Sequence, residues 1–422
     1  MRIHDRGRKL CVAPRPAASA RSRVPLLIPG IRVPVPALRL PSIGRVPPAL
    51  LLAGALGLLP ARPDPLAAQR PPVAALTGST STHREAAAAT HAFAVELMER
   101  EGLPALSIAV GVGGRIVHSE GLGFADLEQR VPATPLTRFR IGSVSKSVTS
   151  AALGLLAEQG RLDLDAPVQR YVPAFPEKRW PISARQVAGH IAGIRHYRGM
   201  ENLLARRWPD VRTALEIFSA DSLLFEPGTR YEYSSYGWNL LSAVAEGAAQ
   251  ESFLGYMRRA VFEPLGIRDI VAEHTDSIIP FRARFYERAA DGALRNAPYV
   301  DNSYKWAGGG FLGTSEDLVR FGFGIMKPGL LEQRTIDMLF TSQRLRDGSE
   351  TGYGIGWSVG ADSAGRRRVA HTGGSVGGRA VLLLYPEHDV VVAMLSNAGH
   401  APMSVANAAL IAGHWLQESG QP

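Results

Sequence analysis

The chain has 422 residues and a single cysteine, Cys11. No disulfide forms within it, and from residue 12 onward it offers no thiolate nucleophile and no cysteine-held metal. Lysine is almost as scarce: there are five, at 9, 146, 178, 305 and 327, beside 42 arginines. A guanidinium cannot give up its proton, whereas a buried lysine can. No apolar run reaches the roughly 20 residues that a bilayer span requires. The eleven histidines include no H-E-x-x-H pattern and no i, i+4 pair with an acid, so neither metal nor cofactor is expected. Gly308-x-Gly310-x-x-Gly313 matches a dinucleotide fingerprint in form, but no apolar strand precedes it, which excludes that use.

Excess charge is also missing from most of the chain. The formal charge is +9, yet residues 1–62 hold eleven basic residues against one acid, Asp5. That leaves 36 basic and 37 acidic residues in the remainder, so no nucleic-acid partner is expected. The first 48 residues are rich in Arg and Pro. An apolar run, Ala49 to Leu59, follows and resembles the core of a secretory signal, with small residues before Gln69 suited to cleavage after Ala68. Residues 1–68 are read as a leader and 69–80 as a linker. An exported, periplasmic or secreted product with no membrane span after processing is expected. An uncleaved anchor and an organelle transit peptide are the alternatives.

The body, 81–418, reads as one domain. A capping-box pattern at Thr82-x-x-Glu85 opens an Ala-rich helix to about Arg100. Strands follow at Leu106–Val112 and Arg115–Glu120 around Gly113-Gly114. The order is mirrored at the other end, with strands at Arg379–Tyr385 and Val390–Leu395, then a helix from Pro402 to Leu416. The fold class is therefore α+β, an antiparallel sheet made from both chain ends and flanked by helices. The region inserted between them, about 143–320, reads as mostly helical.

Three segments carry chemistry. Ser143 and Lys146 stand three apart at the start of an apolar helix, so they share one face. A serine hydroxyl becomes a nucleophile when a neighbouring base takes its proton, and a lysine serves once burial lowers its pKa. Tyr233 and Ser235 sit in a loop just before another helix, where a phenol can shuttle a proton. His371-Thr372-Gly373-Gly374 reads as the glycine-rich end of an edge strand, which lets a substrate approach the backbone. For Trp306 and Trp357, core packing is expected.

Ser143-x-x-Lys146, Tyr233-x-Ser235 and His371-Thr372-Gly373, in that order, resemble the three motifs of the serine β-lactamase and penicillin-binding-protein superfamily. The resemblance spans about 84–417. It includes the segments around His190, Gly308-Gly309-Gly310 with Asp317, and Tyr353-Gly354-Ile355-Gly356-Trp357, and leans toward a class-C-related branch with peptidase activity. It implies a β-lactamase/transpeptidase-like fold and a serine hydrolase acting through an acyl-enzyme on peptide, amide or ester substrates. Ser143 would be acylated, and Lys146 and Tyr233 would share the acid and base work. Ser235, His371, Thr372, Gly373 and Gly374 would bind substrate, with the N–H groups of Ser143 and Gly374 as the oxyanion hole. Ser235 replaces the usual Asn, and His371 replaces a common Lys with a group whose charge depends on pH. A class C-like β-lactamase, an esterase and a non-catalytic scaffold are the alternatives. The partner expected is a small-molecule or peptide substrate. Oligomeric state is left open.

Overall fold

The structure is a computed structural model, and it describes residues 81–416. The leader and linker expected at 1–68 and 69–80 lie outside the described residues, as does the Thr82 side chain of the expected capping box.

Helix α1 (Ser81–Glu101) leads into strands β1 (Ala105–Val112), β2 (Arg115–Asp126) and β3 (Val131–Pro132). Gly113 and Gly114 both take positive φ, 59° and 80°, as a two-residue hairpin requires. Short strand β4 (Phe139–Arg140) precedes helices α2 (Val144–Glu158), α3 (Ala184–Ala188), α4 (Ser235–Ala249) and α5 (Phe253–Tyr256). Strands β5 (Val271–Ala272), β6 (Tyr286–Arg288) and β7 (Leu294–Asn296) follow, then α6 (Trp306–Gly309), β8 (Phe311–Gly313), α7 (Ser315–Met326) and α8 (Gln333–Leu339). The C-terminal part comprises β9 (Ser358–Ala361), β10 (Arg367–Ser375), β11 (Gly378–Tyr385), β12 (Val390–Ser396) and α9 (Val405–Leu416).

The main sheet is antiparallel, in the order β3-β2-β1-β12-β11-β10-β9. Strand β1 pairs with β12, Ile108 opposite Met394, so the two chain ends do meet in the middle of one sheet. Both faces are buried. Ile108, Val110, Val392 and Met394 pack with Ala94, Leu97, Ile411 and Trp415 of α1 and α9. Ala109, Val391, Ala393 and Leu395 point the other way, into the core shared with α2, α4 and α7. Burial on both faces explains why these strands read as unbroken apolar runs rather than alternating ones. The α+β class holds.

Three details differ from expectation. Helix α9 begins at Val405, after a turn from Pro402, and β2 runs on to Asp126. The region 143–320 is much less helical than its sequence suggests. It contains two long, mostly irregular stretches, 189–234 and 273–302, the second interrupted by the two-stranded ribbon β6–β7, and it supplies β5 and β8 to a small sheet β4-β8-β5. Side-chain bonds to the backbone, rather than helical periodicity, shape that region.

Candidate active site

Ser143 occupies the N-cap of α2, yet its side chain caps nothing. Serine at this position ordinarily accepts a backbone N–H from the first turn. Here Oγ instead lies 3.0 Å from Lys146 Nζ. That amine has no exposed surface. It also lies 2.6 Å from the Gly308 carbonyl and 3.1 Å from Ser235 Oγ. Burial, with the charge of Lys305 adding to it, holds its pKa well below the ordinary lysine value. A neutral amine has two protons and one lone pair. The protons suit Gly308 O and Ser235 Oγ, and the lone pair then accepts the Ser143 hydroxyl.

Ser234 caps α4, its Oγ accepting the Gly237 N–H at 3.0 Å and donating to Arg195 O at 2.7 Å. The next two N–H donors of that helix start are met by imidazoles. Ser234 N–H donates to His190 Nδ1 at 3.1 Å, and Ser235 N–H donates to His196 Nδ1 at 3.0 Å. An imidazole that accepts an N–H must be neutral. Burial, aided by repulsion from Lys146 when that amine is protonated, lowers both pKa values, that of His196 to about 4. These clamps place Ser235 beside Lys146. Tyr233 packs against His190, ring centroids 4.3 Å apart, with Lys146 Nζ 4.9 Å from its own centroid. Its hydroxyl interacts with those of Ser143 and Ser235. Burial raises its pKa, so the phenol keeps its proton.

Strand β10 is paired with β9 only from Arg367 to Ala370, so its edge is bare from His371 onward. Thr372 and Gly374 are exposed on that edge and line the cavity above Ser143. Gly373 does not line it. A Cβ there would collide with the Ile141 carbonyl, so this glycine seats β10 against the turn that carries Ser143. Its expected contact with substrate is corrected accordingly. A Cβ at Gly142 would lie 2.7 Å from Gly374 N, which brings the Gly374 backbone alongside the Ser143 turn. His371 lines the cavity but carries no charge. Burial foremost, then repulsion from Lys146 when that amine is protonated, pushes its pKa down to about 3. Its Nδ1–H donates to Thr372 O at 2.6 Å, and its Nε2 accepts from Tyr353 Oη at 2.8 Å. The expected pH-dependent charge at this position is therefore absent near neutrality.

The cavity measures about 840 Å³ and is lined by Ser143, Tyr233, Ser235, His371, Thr372 and Gly374 among others. The three segments picked out in the sequence thus meet at one place. Tyr353, His190, His196, Lys305 and the Gly308 carbonyl also contribute, and sequence reading gave none of them a role. Their only signals were membership of flanking segments and, for Lys305, the rarity of lysine. Trp306 and Trp357 are core residues, with Trp357 Nε1 donating to Ser150 Oγ at 3.1 Å. Asp317 accepts the N–H groups of Arg268 and Asp269, a structural task away from the cavity.

The family model described as Beta-lactamase matches residues 91–414. The chain belongs to the β-lactamase family. It is 34% identical over 385 residues to the serine beta-lactamase-like protein LACTB, mitochondrial, of Homo sapiens, covering 69% of this chain and 70% of that protein. It is 24% identical over 310 residues to penicillin-binding protein 4* of Bacillus subtilis strain 168, covering 69% and 67%. Among solved structures, the octameric penicillin-binding protein homologue from Pyrococcus abyssi superposes with a TM-score of 0.66 at 25% identity, covering 76% of each chain. A D-stereospecific amidohydrolase from Streptomyces superposes at 0.65 with 22% identity, covering 76% of this chain and 97% of that one, and shows the shared fold. Among the described residues, no helix is long and apolar enough to cross a membrane.

Proposed function

We propose that the protein is a serine hydrolase acting through an acyl-enzyme on peptide, amide or ester substrates. The observation that carries this reading is the pair Ser143 and Lys146. A nucleophile candidate left free by its helix sits 3.0 Å from an amine whose burial favours the neutral form. Lys146 takes the Ser143 proton as Oγ bonds to the substrate carbonyl carbon. The resulting oxyanion faces the N–H groups of Ser143 and Gly374. Tyr233 keeps its own proton, so it serves as a relay from the Lys146 ammonium to the leaving nitrogen or oxygen. That bond breaks and the acyl group stays on Ser143 as an ester. Water then attacks the ester carbonyl, and the acid is released with Ser143 restored. The bare edge of β10 from His371 to Ser375 suits pairing with an extended peptide backbone.

A neutral fluorophosphonate probe tests the reading. Covalent labelling of the wild type, and none of a folded Ser143→Ala protein, is expected. Labelling that survives Ser143→Ala refutes it. The destination of the leader is a separate proposal, tested by mass spectrometry of the native N-terminus. The relatives named mitochondrial favour the organelle alternative over export.

A further inference from the structure

Lys305 lies just before α6, three residues ahead of the Gly308 carbonyl that holds Lys146. It is 5% exposed and lines the cavity. Among the described residues its Nζ makes no hydrogen bond and no ion pair. It rests only against aromatic rings, 5.0 Å from the Tyr304 centroid and 5.8 Å from that of Tyr197. Glu273, the carboxylate whose charge acts on it, is already committed. Arg140 donates to it at 2.8 and 3.0 Å and Asn302 at 2.5 Å. The other cation of the cavity wall, Arg379, spends its Nε on Gly399 O at 2.6 Å. Glu287, the carboxylate of the wall, accepts the Gly377 N–H at 2.6 Å. His371, where a lysine is common in the superfamily, is neutral.

A buried amine with three donors and no acceptor is costly to charge unless something brings the acceptor. We infer that Lys305 is the anchor for a carboxylate carried by the substrate, so that the anion arrives with the ligand rather than being built into the protein. This assignment rests on Ser143 and its cavity being the substrate site. Burial first, with the charge of Arg140 adding and that of Glu273 opposing, lowers the Lys305 pKa to about 7. Tyr197 and Tyr304 have raised pKa values and stay uncharged, and Lys146, the titratable group that feels the Lys305 charge, has its own pKa held well below the ordinary lysine value by burial. At about pH 8 the free amine is therefore mostly neutral, and an incoming carboxylate draws a proton onto it.

The full-length Ser143→Ala protein separates binding from chemistry. Three esters serve as probes: phenyl valerate, monophenyl glutarate and 3-(valeryloxy)benzoate. The second carries a carboxylate on the acyl side and the third on the leaving side. Calorimetry should show one of the carboxylated esters binding at least about tenfold tighter than phenyl valerate. It should also show uptake of close to one proton at about pH 8, measured across buffers of different ionisation enthalpy. Adding Lys305→Met should remove both effects. Equal binding of the three esters, absence of proton uptake, or a preference that survives Lys305→Met overturns the assignment. The neutral fluorophosphonate assay on the wild type reads the hydrolase proposal by itself, so failure of one is distinguishable from failure of the other.

Discussion

Tyr353 donates its hydroxyl to His371 Nε2 at 2.8 Å, from a position 18 residues earlier in the chain. Burial keeps the Tyr353 pKa far above its ordinary value, so the phenol holds a proton to donate. The Thr372 carbonyl, which can only accept, fixes the proton of His371 on Nδ1 and leaves Nε2 to accept from Tyr353. The motif position where a lysine is common in the superfamily is thereby a neutral, locked ring.

Tyr353→Phe leaves that buried nitrogen without a donor. A loss of about 1–3 kcal/mol is expected in denaturant unfolding. Ser143 labelling should slow by less than about tenfold, because His371 makes no bond to Ser143. Unchanged stability would show that the pair contributes nothing.

Acid should destabilise the protein in a defined window. The unfolded chain binds a proton at each histidine near 6.5, whereas folded His371 resists until about 3 and folded His196 until about 4. Both folded values are depressed, so the unfolded state holds more protons between those limits. Stability therefore falls as pH drops from 6.5 toward 3, with a slope of up to about 1.4 kcal/mol per pH unit for His371 alone. Melting curves across this range should be flatter for His371→Asn. An identical slope in the variant contradicts the assignment.

The base role of Lys146 predicts a pH profile. The kcat/KM of an ester substrate should rise with pH through a midpoint well below the 10.5 of an ordinary lysine. Lys146→Arg should lower it by about 10³-fold or more, since a guanidinium keeps its proton. A midpoint near 10.5, or an active Arg variant, would remove Lys146 from that role.

Two cap serines should behave in opposite ways. Ser143→Ala breaks no cap and should cost less than about 0.5 kcal/mol, while Ser234→Ala removes a cap and a bond to Arg195 O and should cost about 1–2 kcal/mol. Unfolding of both proteins, with labelling of each, checks the contrast.

Much of this was legible in the sequence where local rules suffice. The hairpin glycines, the β-rich runs near both ends and the Ser143/Lys146 spacing all act over a few residues. The alternate faces of β12 could not be read, because Val391 and Val392 are equally apolar though they enter different cores. Gly373 was misassigned because its backbone is pressed against the Ile141 carbonyl, a contact from a distant segment that no local pattern encodes. His190 and His196 meet their partners 44 and 39 residues later, through contacts no local pattern encodes. The same holds for Tyr353, whose part depends on where β10 lies.

The pairing of β1 with β12 joins residues almost three hundred positions apart, Leu106 with Ser396. Strand β1 has a hairpin partner in β2 early on, but its other edge stays empty until the last strand has been synthesised. During translation the ribosome therefore releases most of the chain before the central sheet can close, and the long-range contact makes that closure slow. Throughout that interval the outer edge of β1 is a bare row of N–H and C=O groups, open to a strand of any other chain that meets it first.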